Sequence, residues 1–129
     1  MVSLCPCCSG VEYAGCCKSF HDGMLAPTPL ALMRSRYSAY ALGKPDYIQK
    51  TTHPKSPHWE AEKLQWTKSI AHFCATTQFI KLEIDSYGED WVAFQAFLKQ
   101  NNKPFTLIER SHFERVHDRW LYVDGQIQH

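Results

Sequence analysis

The chain has 129 residues, a formal net charge of +1 and a charged fraction of 21%. This length is typical of one domain that buries its own core, and the near-neutral charge provides no strong field for DNA or an anionic membrane surface. The sequence contains neither an apolar run of the roughly 18 residues that a transmembrane helix needs nor the basic and apolar segments of a signal peptide. We therefore expect a cytoplasmic protein with reduced thiols.

Five of the six cysteines lie in one N-terminal segment, CPCCSGVEYAGCC. They include two close pairs joined by a short loop: Cys5 with Cys7, and Cys16 with Cys17. Pro6 stiffens the first turn because its ring fixes φ. Since zinc binds four ligands in a tetrahedron and thiolates suit it well, we predict one structural zinc ion held by these four side chains.

Alternatives to this ligand set remain open from the residues alone. Cys8 could replace Cys7, and His21 could replace Cys17, because zinc also accepts imidazole. Structural disulfides are disfavoured by the expected reducing compartment. A redox pair is disfavoured as well, because no strand precedes the C-x-x-C spacing of Cys5 and Cys8, as it would in a redox motif.

Two helices are predicted after the cysteine segment. The first begins at Thr28 and Pro29, since threonine is a good N-cap and proline suits the first helical position. It ends at Gly43, and Pro45 prevents its continuation. A second, short helix is predicted over 46–51. The spacing of apolar residues gives the first helix one buried face, comprising Leu30, Met33, Tyr37, Tyr40 and Ala41.

A third helix is predicted from Ser56 and Pro57 to about Cys74. Four strands follow over 79–84, 91–98, 105–116 and 120–126, because apolar and polar residues alternate there. The segments QNNK and HDR separate the last strands as turns. Helices followed by an antiparallel meander indicate an α+β fold. Three helices packed onto one strongly curved sheet would form a cone.

The cysteine segment resembles the SEC-C motif, a short zinc-binding element written C-P-C-G-S-G-x-x-Y-x-x-C-C or ending in C-H. The resemblance implies zinc ligation by the same four cysteines. Ser9, Gly10 and Tyr13 also match the motif, and Cys8 departs from its glycine.

Three further segments, LMRSRYSAYALGKPDYIQKTTHP, IERSHF and WLYVDG, resemble the YchJ-like family of small bacterial proteins. In that family a SEC-C motif precedes a domain similar to nuclear transport factor 2 (NTF2). The resemblance therefore implies a zinc-binding segment over residues 1–22, which we call the knuckle, and an NTF2-like cone domain over residues 23–129.

The resemblance implies a fold more directly than an activity. In the preprotein-translocase motor a SEC-C element contacts a chaperone and ribosomes, which implies a protein or ribosome-associated partner for the knuckle. Related cones often dimerise through the open sheet face, which implies a homodimer by analogy. We expect a zinc-binding accessory protein and assign no catalytic residue. The alternative is a small-molecule binding protein or enzyme that uses the cavity of the cone.

Several polar residues interrupt apolar patterns and are candidates for lining that cavity. Arg34 and Arg36 lie on the first long helix, while Glu109 and Asp124 lie on the last two strands. Because a guanidinium matches a carboxylate, we expect one arginine to pair with Glu109 or Asp124 at the mouth of the cone. A purely structural ion pair would look the same in sequence. His53, in the segment THP, is the histidine best placed for acid–base chemistry.

Overall fold

Four α-helices precede a four-stranded antiparallel sheet in the computed structural model, which describes residues 3–127. After a 3-10 turn at Tyr13–Gly15, the helices are α1 (Cys17–His21), α2 (Pro29–Leu42), α3 (Pro45–Lys50) and α4 (Lys63–Thr76). The strands are β1 (Gln78–Tyr87), β2 (Trp91–Gln100), β3 (Lys103–Val116) and β4 (Arg119–Ile127). The first two residues of the predicted knuckle and the last two of the predicted cone domain lie outside the described residues. No helix between residues 3 and 127 is long and apolar enough to span a membrane.

Helix α2 begins and ends where the sequence predicts. The Thr28 hydroxyl accepts a hydrogen bond from the Ala31 N–H at 3.1 Å, and Gly43 ends the helix with a φ of 68°. The helix contacts α1, α3, α4 and the sheet, so it is buried on several sides and not only on the predicted face. Additional buried residues of α2 include Leu32, Ser35, Ser38 and Ala39.

The third predicted helix begins later than the sequence indicates. The Ser56 hydroxyl accepts a hydrogen bond from the His58 N–H at 3.2 Å, and the Trp59 N–H donates to the Ser56 carbonyl at 3.1 Å. These local bonds form turns in place of a first helical turn, and α4 starts only after them. Within α4 the buried residues are Trp66 and Ile70.

The sheet is a meander in the order β1-β2-β3-β4, which confirms the predicted α+β fold. Asn101–Asn102 and His117–Asp118 form its last two turns with φ values between 50° and 64°, the geometry of tight hairpins. Burial alternates along β2, so one face of this strand packs in the core with α2. Register shifts in the β1–β2 and β3–β4 pairings mark bulges, which bend and twist a sheet.

Candidate metal centre

Four cysteine side chains converge in the knuckle. The sulfur atoms of Cys5, Cys7, Cys16 and Cys17 all lie within 4.8 Å of one another. The Cys16 sulfur is 3.7 Å from that of Cys7 and 3.9 Å from that of Cys17. A tetrahedron with zinc–sulfur bonds of about 2.3 Å has sulfur–sulfur edges of about 3.8 Å. The observed spacing therefore fits a metal ion with four thiolate ligands.

The chemistry of the donor set restricts which metal it suits. Cys5, Cys7 and Cys17 are buried and Cys16 is half-buried, and the cluster contains no carboxylate or imidazole. Thiolates are soft ligands that select zinc, copper(I) or iron–sulfur clusters over calcium and magnesium. A tetrahedral set of four sulfurs on tight turns is typical of a structural zinc site.

Short main-chain turns bring the two cysteine pairs together. The Cys5 N–H donates to the Val11 carbonyl at 2.8 Å, and Gly10 reverses the chain between them with a φ of 85°. The Ser9 hydroxyl accepts a hydrogen bond from the Val11 N–H at 3.2 Å and lies 3.2 Å from the Cys16 sulfur. When Cys16 is a thiolate, this hydroxyl is the donor to sulfur. The loop therefore connects the first turn directly to the second cysteine pair.

Cys8 lies outside the sulfur cluster. Its φ is 65°, its side chain is exposed, and its sulfur is not one of the four that lie within 4.8 Å of one another. The Cys8 sulfur lies 3.6 Å from the Pro6 carbonyl and 3.5 Å from the Leu82 N–H of β1. The positive φ also explains why the SEC-C motif has glycine at this position, since glycine adopts that conformation without strain.

His21 supports the knuckle through both of its ring nitrogens. Nε2 lies 2.8 Å from the Ser35 carbonyl, and Nδ1 lies 2.7 Å from the Tyr13 hydroxyl. Because a carbonyl can only accept, Nε2 carries the proton and Nδ1 accepts from Tyr13. Burial lowers the pKa of His21, which favours this neutral ring. Neither nitrogen is available to the sulfur cluster in this arrangement.

Cys7, Cys16 and Cys17 differ in the direction of their pKa shifts. Hydrogen bonding from Cys17 lowers the pKa of Cys7 to about 4, and the same interaction raises the pKa of Cys17, to which burial adds. Burial raises the pKa of Cys16. One thiolate therefore forms easily, and its charge opposes ionisation of its neighbours. A bound divalent cation would favour the thiolate form of all four ligands.

Helix α2 packs directly against the cysteine cluster, a relationship that the sequence did not indicate. The Ser38 hydroxyl lies 3.2 Å from the Cys5 sulfur, and Arg34 Nη1 donates to the Cys7 carbonyl at 2.9 Å. Ser35 and Ser38 are fully buried. Two serines three residues apart in this helix were the available signal, because hydroxyls that become buried require polar partners.

The cone contains a second candidate site, a cavity of about 580 Å³ between α2, α4 and the concave face of the sheet. Arg36 and Glu109, two of the predicted cavity residues, line it. Arg34, His53 and Asp124 do not. Side chains two positions apart in a helix point in different directions. Arg34 therefore reaches the knuckle, while Arg36 reaches the cavity.

The prediction that a helix arginine pairs with a sheet carboxylate is wrong, because no such ion pair forms among residues 3–127. Asp124 Oδ1 lies 4.0 Å from His112 Nδ1 instead, and His53 Nε2 lies 3.7 Å from Glu114 Oε1. Neither arginine takes part in an ion pair in this range. Arg36 Nη1 donates instead to the neutral oxygens of Ile48, Thr51 and Thr52.

Sequence relatives match this architecture over most of the chain. A family model described as the YchJ middle NTF2-like domain matches residues 28–125. A UPF0225 protein of Deinococcus radiodurans is 41% identical over 123 residues, which cover 94% of this chain and 87% of that protein. A UPF0225 protein of Vibrio vulnificus is 39% identical and is matched over 97% of this chain and 75% of its own length.

Solved structures match both the cone and the knuckle. The solution structure of a SEC-C motif containing protein from Rhodopseudomonas palustris superposes with a TM-score of 0.80 at 29% identity, covering 100% of both chains. The crystal structure of a SEC-C motif containing protein from Psychrobacter arcticus superposes with a TM-score of 0.70 at 25% identity, covering 97% of this chain and 82% of that one.

Proposed function

The chain belongs to the family of the UPF0225 proteins and the YchJ middle NTF2-like domain, and we propose that it is a zinc-binding accessory protein. The convergence of four cysteine sulfurs within 4.8 Å of one another carries this proposal. Among the described residues, Tyr13 is the only other hydrophobic side chain packed against that small cluster. When bound, zinc would cross-link a segment whose own hydrophobic core is too small to fold it. Reduced thiols are required, so we expect a cytoplasmic location.

Elemental analysis of the purified chain tests the metal assignment. We expect one zinc per chain in the native protein and less than about a tenth of that in Cys16→Ser/Cys17→Ser, because two of the four ligands are lost. Cys74→Ser is the matched control, since Cys74 is a half-buried cysteine on α4 outside the cluster. Iron in place of zinc, or full zinc occupancy in the double variant, would contradict the assignment.

The second part of the proposal is that the knuckle binds a protein partner. Leu4 and Val11 are 64% and 46% exposed on the knuckle, and Met24 and Leu25 directly after it are 64% and 51% exposed. Exposed apolar side chains concentrated in one part of the chain are a common feature of interaction surfaces. They favour a protein or a protein component of a ribonucleoprotein over a bare nucleic acid.

Charge also favours a protein over RNA as the partner. Lys18 is the only lysine or arginine between residues 3 and 25, and its ammonium group lies 2.6 Å from the Asp22 carboxylate. A zinc ion with four thiolates carries a formal charge of −2. The knuckle therefore offers no basic surface of the kind that binds phosphates.

Affinity capture with surface variants tests the partner without disturbing the metal. Leu4→Ser/Val11→Ser should keep one zinc per chain and lose the specifically captured protein or ribosomal component. The matched control is Leu64→Ser/Ile80→Ser, which removes apolar side chains that are 70% and 59% exposed on α4 and β1. If both double variants capture the same components as the native chain, the knuckle has only a structural role. A homodimer through the sheet is a separate prediction, which light scattering would test.

A further inference from the structure

The lining of the cavity is largely apolar and includes a few charged residues. Its volume of about 580 Å³ lies within the range of about 300–1,000 Å³ typical of small-molecule sites. Aromatic rings from α2, α4 and the sheet line it together with aliphatic side chains, and they include Tyr40, Trp66, Phe73, Phe79, Phe94 and Tyr122. Its charged residues are Arg36 on α2, Glu109 on β3 and Glu60 in the segment before α4.

Arg36 is a buried cation held by neutral groups. Its side chain is fixed by the Thr51 and Thr52 hydroxyls at 2.8 and 3.1 Å from Nη1, and its Cζ lies 4.6 Å from the centre of the Tyr122 ring. Arg36 is 7% exposed and forms no ion pair within residues 3–127. A buried guanidinium without a carboxylate partner is costly in a structure that has only to fold.

Glu109 contributes the opposite charge to the same cavity. Its Oε2 accepts a hydrogen bond from the Ser111 hydroxyl at 2.8 Å. A Cβ at Gly125 would overlap the Glu109 carboxyl group, so the glycine leaves the space that this carboxyl group occupies. Arg36 and Glu109 both influence the pKa values of Tyr40 and Tyr122, in opposite directions, beyond the larger effect of burial. The two charges therefore act on the same aromatic part of the cavity.

We propose that this cavity binds an uncharged, largely aromatic small molecule whose single polar end accepts a hydrogen bond from Arg36 and donates one to Glu109. A hydroxyl group or a carboxamide has both capacities. A ligand ion would meet one like and one opposite charge, whose effects largely cancel, so the cost of removing the ion from water would not be offset. This proposal is independent of the proposed function of the knuckle.

Three probes of one shape and different charge test the proposal on the zinc-loaded full chain. They are 2-naphthol, 2-naphthoate and 2-naphthylmethylammonium, each titrated at neutral pH and followed by amide chemical shifts. We expect 2-naphthol to bind at least about tenfold more tightly than either ion, because each ion loses its hydration and gains no net attraction from charges of both signs. Absence of 2-naphthol binding at millimolar concentration, or equal or tighter binding of an ion to the native chain, would overturn the proposal.

Substitutions establish the location and the role of charge. Ser69 is an exposed residue of α4 that lines the cavity, so Ser69→Phe should occupy it and abolish 2-naphthol binding. Lys68→Phe adds the same group at the neighbouring exposed position outside the lining and should bind normally. Glu109→Gln should shift the preference at least about tenfold toward 2-naphthoate, and Arg36→Gln, if it folds, toward the ammonium probe. Normal binding by Ser69→Phe, or an unchanged preference in Glu109→Gln, would refute the assignment.

Discussion

The Arg34 guanidinium donates a hydrogen bond to the Cys7 carbonyl at 2.9 Å, so a side chain of the cone is bonded to the main chain of the proposed metal-binding turn. The Ser38 hydroxyl beside the Cys5 sulfur makes a second polar contact from the same helix. The knuckle is therefore held in one orientation on α2 by groups other than its cysteines. Its stability should depend on the cone as well as on metal.

Replacing Arg34 should loosen the knuckle without removing a cysteine. Arg34→Met keeps much of the apolar stem and removes a hydrogen bond from a charged donor, which typically contributes about 1.5–3 kcal/mol. We expect a lower free energy of unfolding and faster zinc transfer to a chelator, measured by urea denaturation and by a colorimetric zinc assay. Arg119→Met, at an exposed position of β4, is the control. Zinc transfer at the native rate would show that this bond does not restrain the knuckle.

A second prediction concerns Cys8, whose φ of 65° is strained for any residue with a Cβ. Cys8→Gly should retain one zinc per chain and raise the free energy of unfolding by up to about 1 kcal/mol, because glycine adopts a left-handed backbone conformation readily. Elemental analysis and urea denaturation provide the two measurements. A fall in zinc content would mean that the Cys8 sulfur is a ligand, contrary to its position outside the cluster.

Much of the fold could be predicted from local sequence signals. Thr28 and Gly43 mark the ends of α2 because capping requires only nearby residues, and alternation revealed all four strands. The start of α4 could not be predicted in this way, since Ser56 and Pro57 are equally compatible with a turn and with a helix N-terminus. The choice depends on the local bonds that Ser56 forms with His58 and Trp59.

The candidate sites show the same division between local and long-range information. The two cysteine pairs lie on tight turns twelve or fewer residues apart, so their spacing indicated that they would converge. The partners of Arg34 and Arg36 depend on which elements pack on each side of α2, and sequence spacing does not contain that information. The expected ion pair does not form because α2 directs Arg34 to the knuckle, and neutral oxygens from the α3 region accept hydrogen bonds from Arg36.

The neutral state of His21 makes the knuckle sensitive to acid. Burial lowers the pKa of His21 in the folded chain below its ordinary value of 6.5, so the unfolded chain binds a proton first as the pH falls. The contribution of neutral His21 to the free energy of unfolding is therefore fully present above about pH 6.5. It is lost as the pH falls from there toward the lower pKa of the folded chain. Urea denaturation of the zinc-loaded chain between about pH 7.5 and 6 should show a decline that is smaller in His21→Gln. His72→Gln, at an exposed position of α4, controls for loss of a histidine, and equal slopes for native and His21→Gln would refute the prediction.

A double-mutant cycle can test whether Gly125 exists to accommodate the Glu109 carboxyl group. Gly125 has no positive φ, so alanine fits its backbone, and the obstacle is the overlap of a new Cβ with that carboxyl group. Gly125→Ala should displace the carboxyl group and break its 2.8 Å hydrogen bond with Ser111, at a cost of about 1 kcal/mol. In a Glu109→Ala background the same substitution should cost almost nothing, which gives a coupling free energy of about 1 kcal/mol by urea denaturation. An equal cost in both backgrounds would mean that the glycine is required by the strand itself and not by the carboxyl group that faces the cavity.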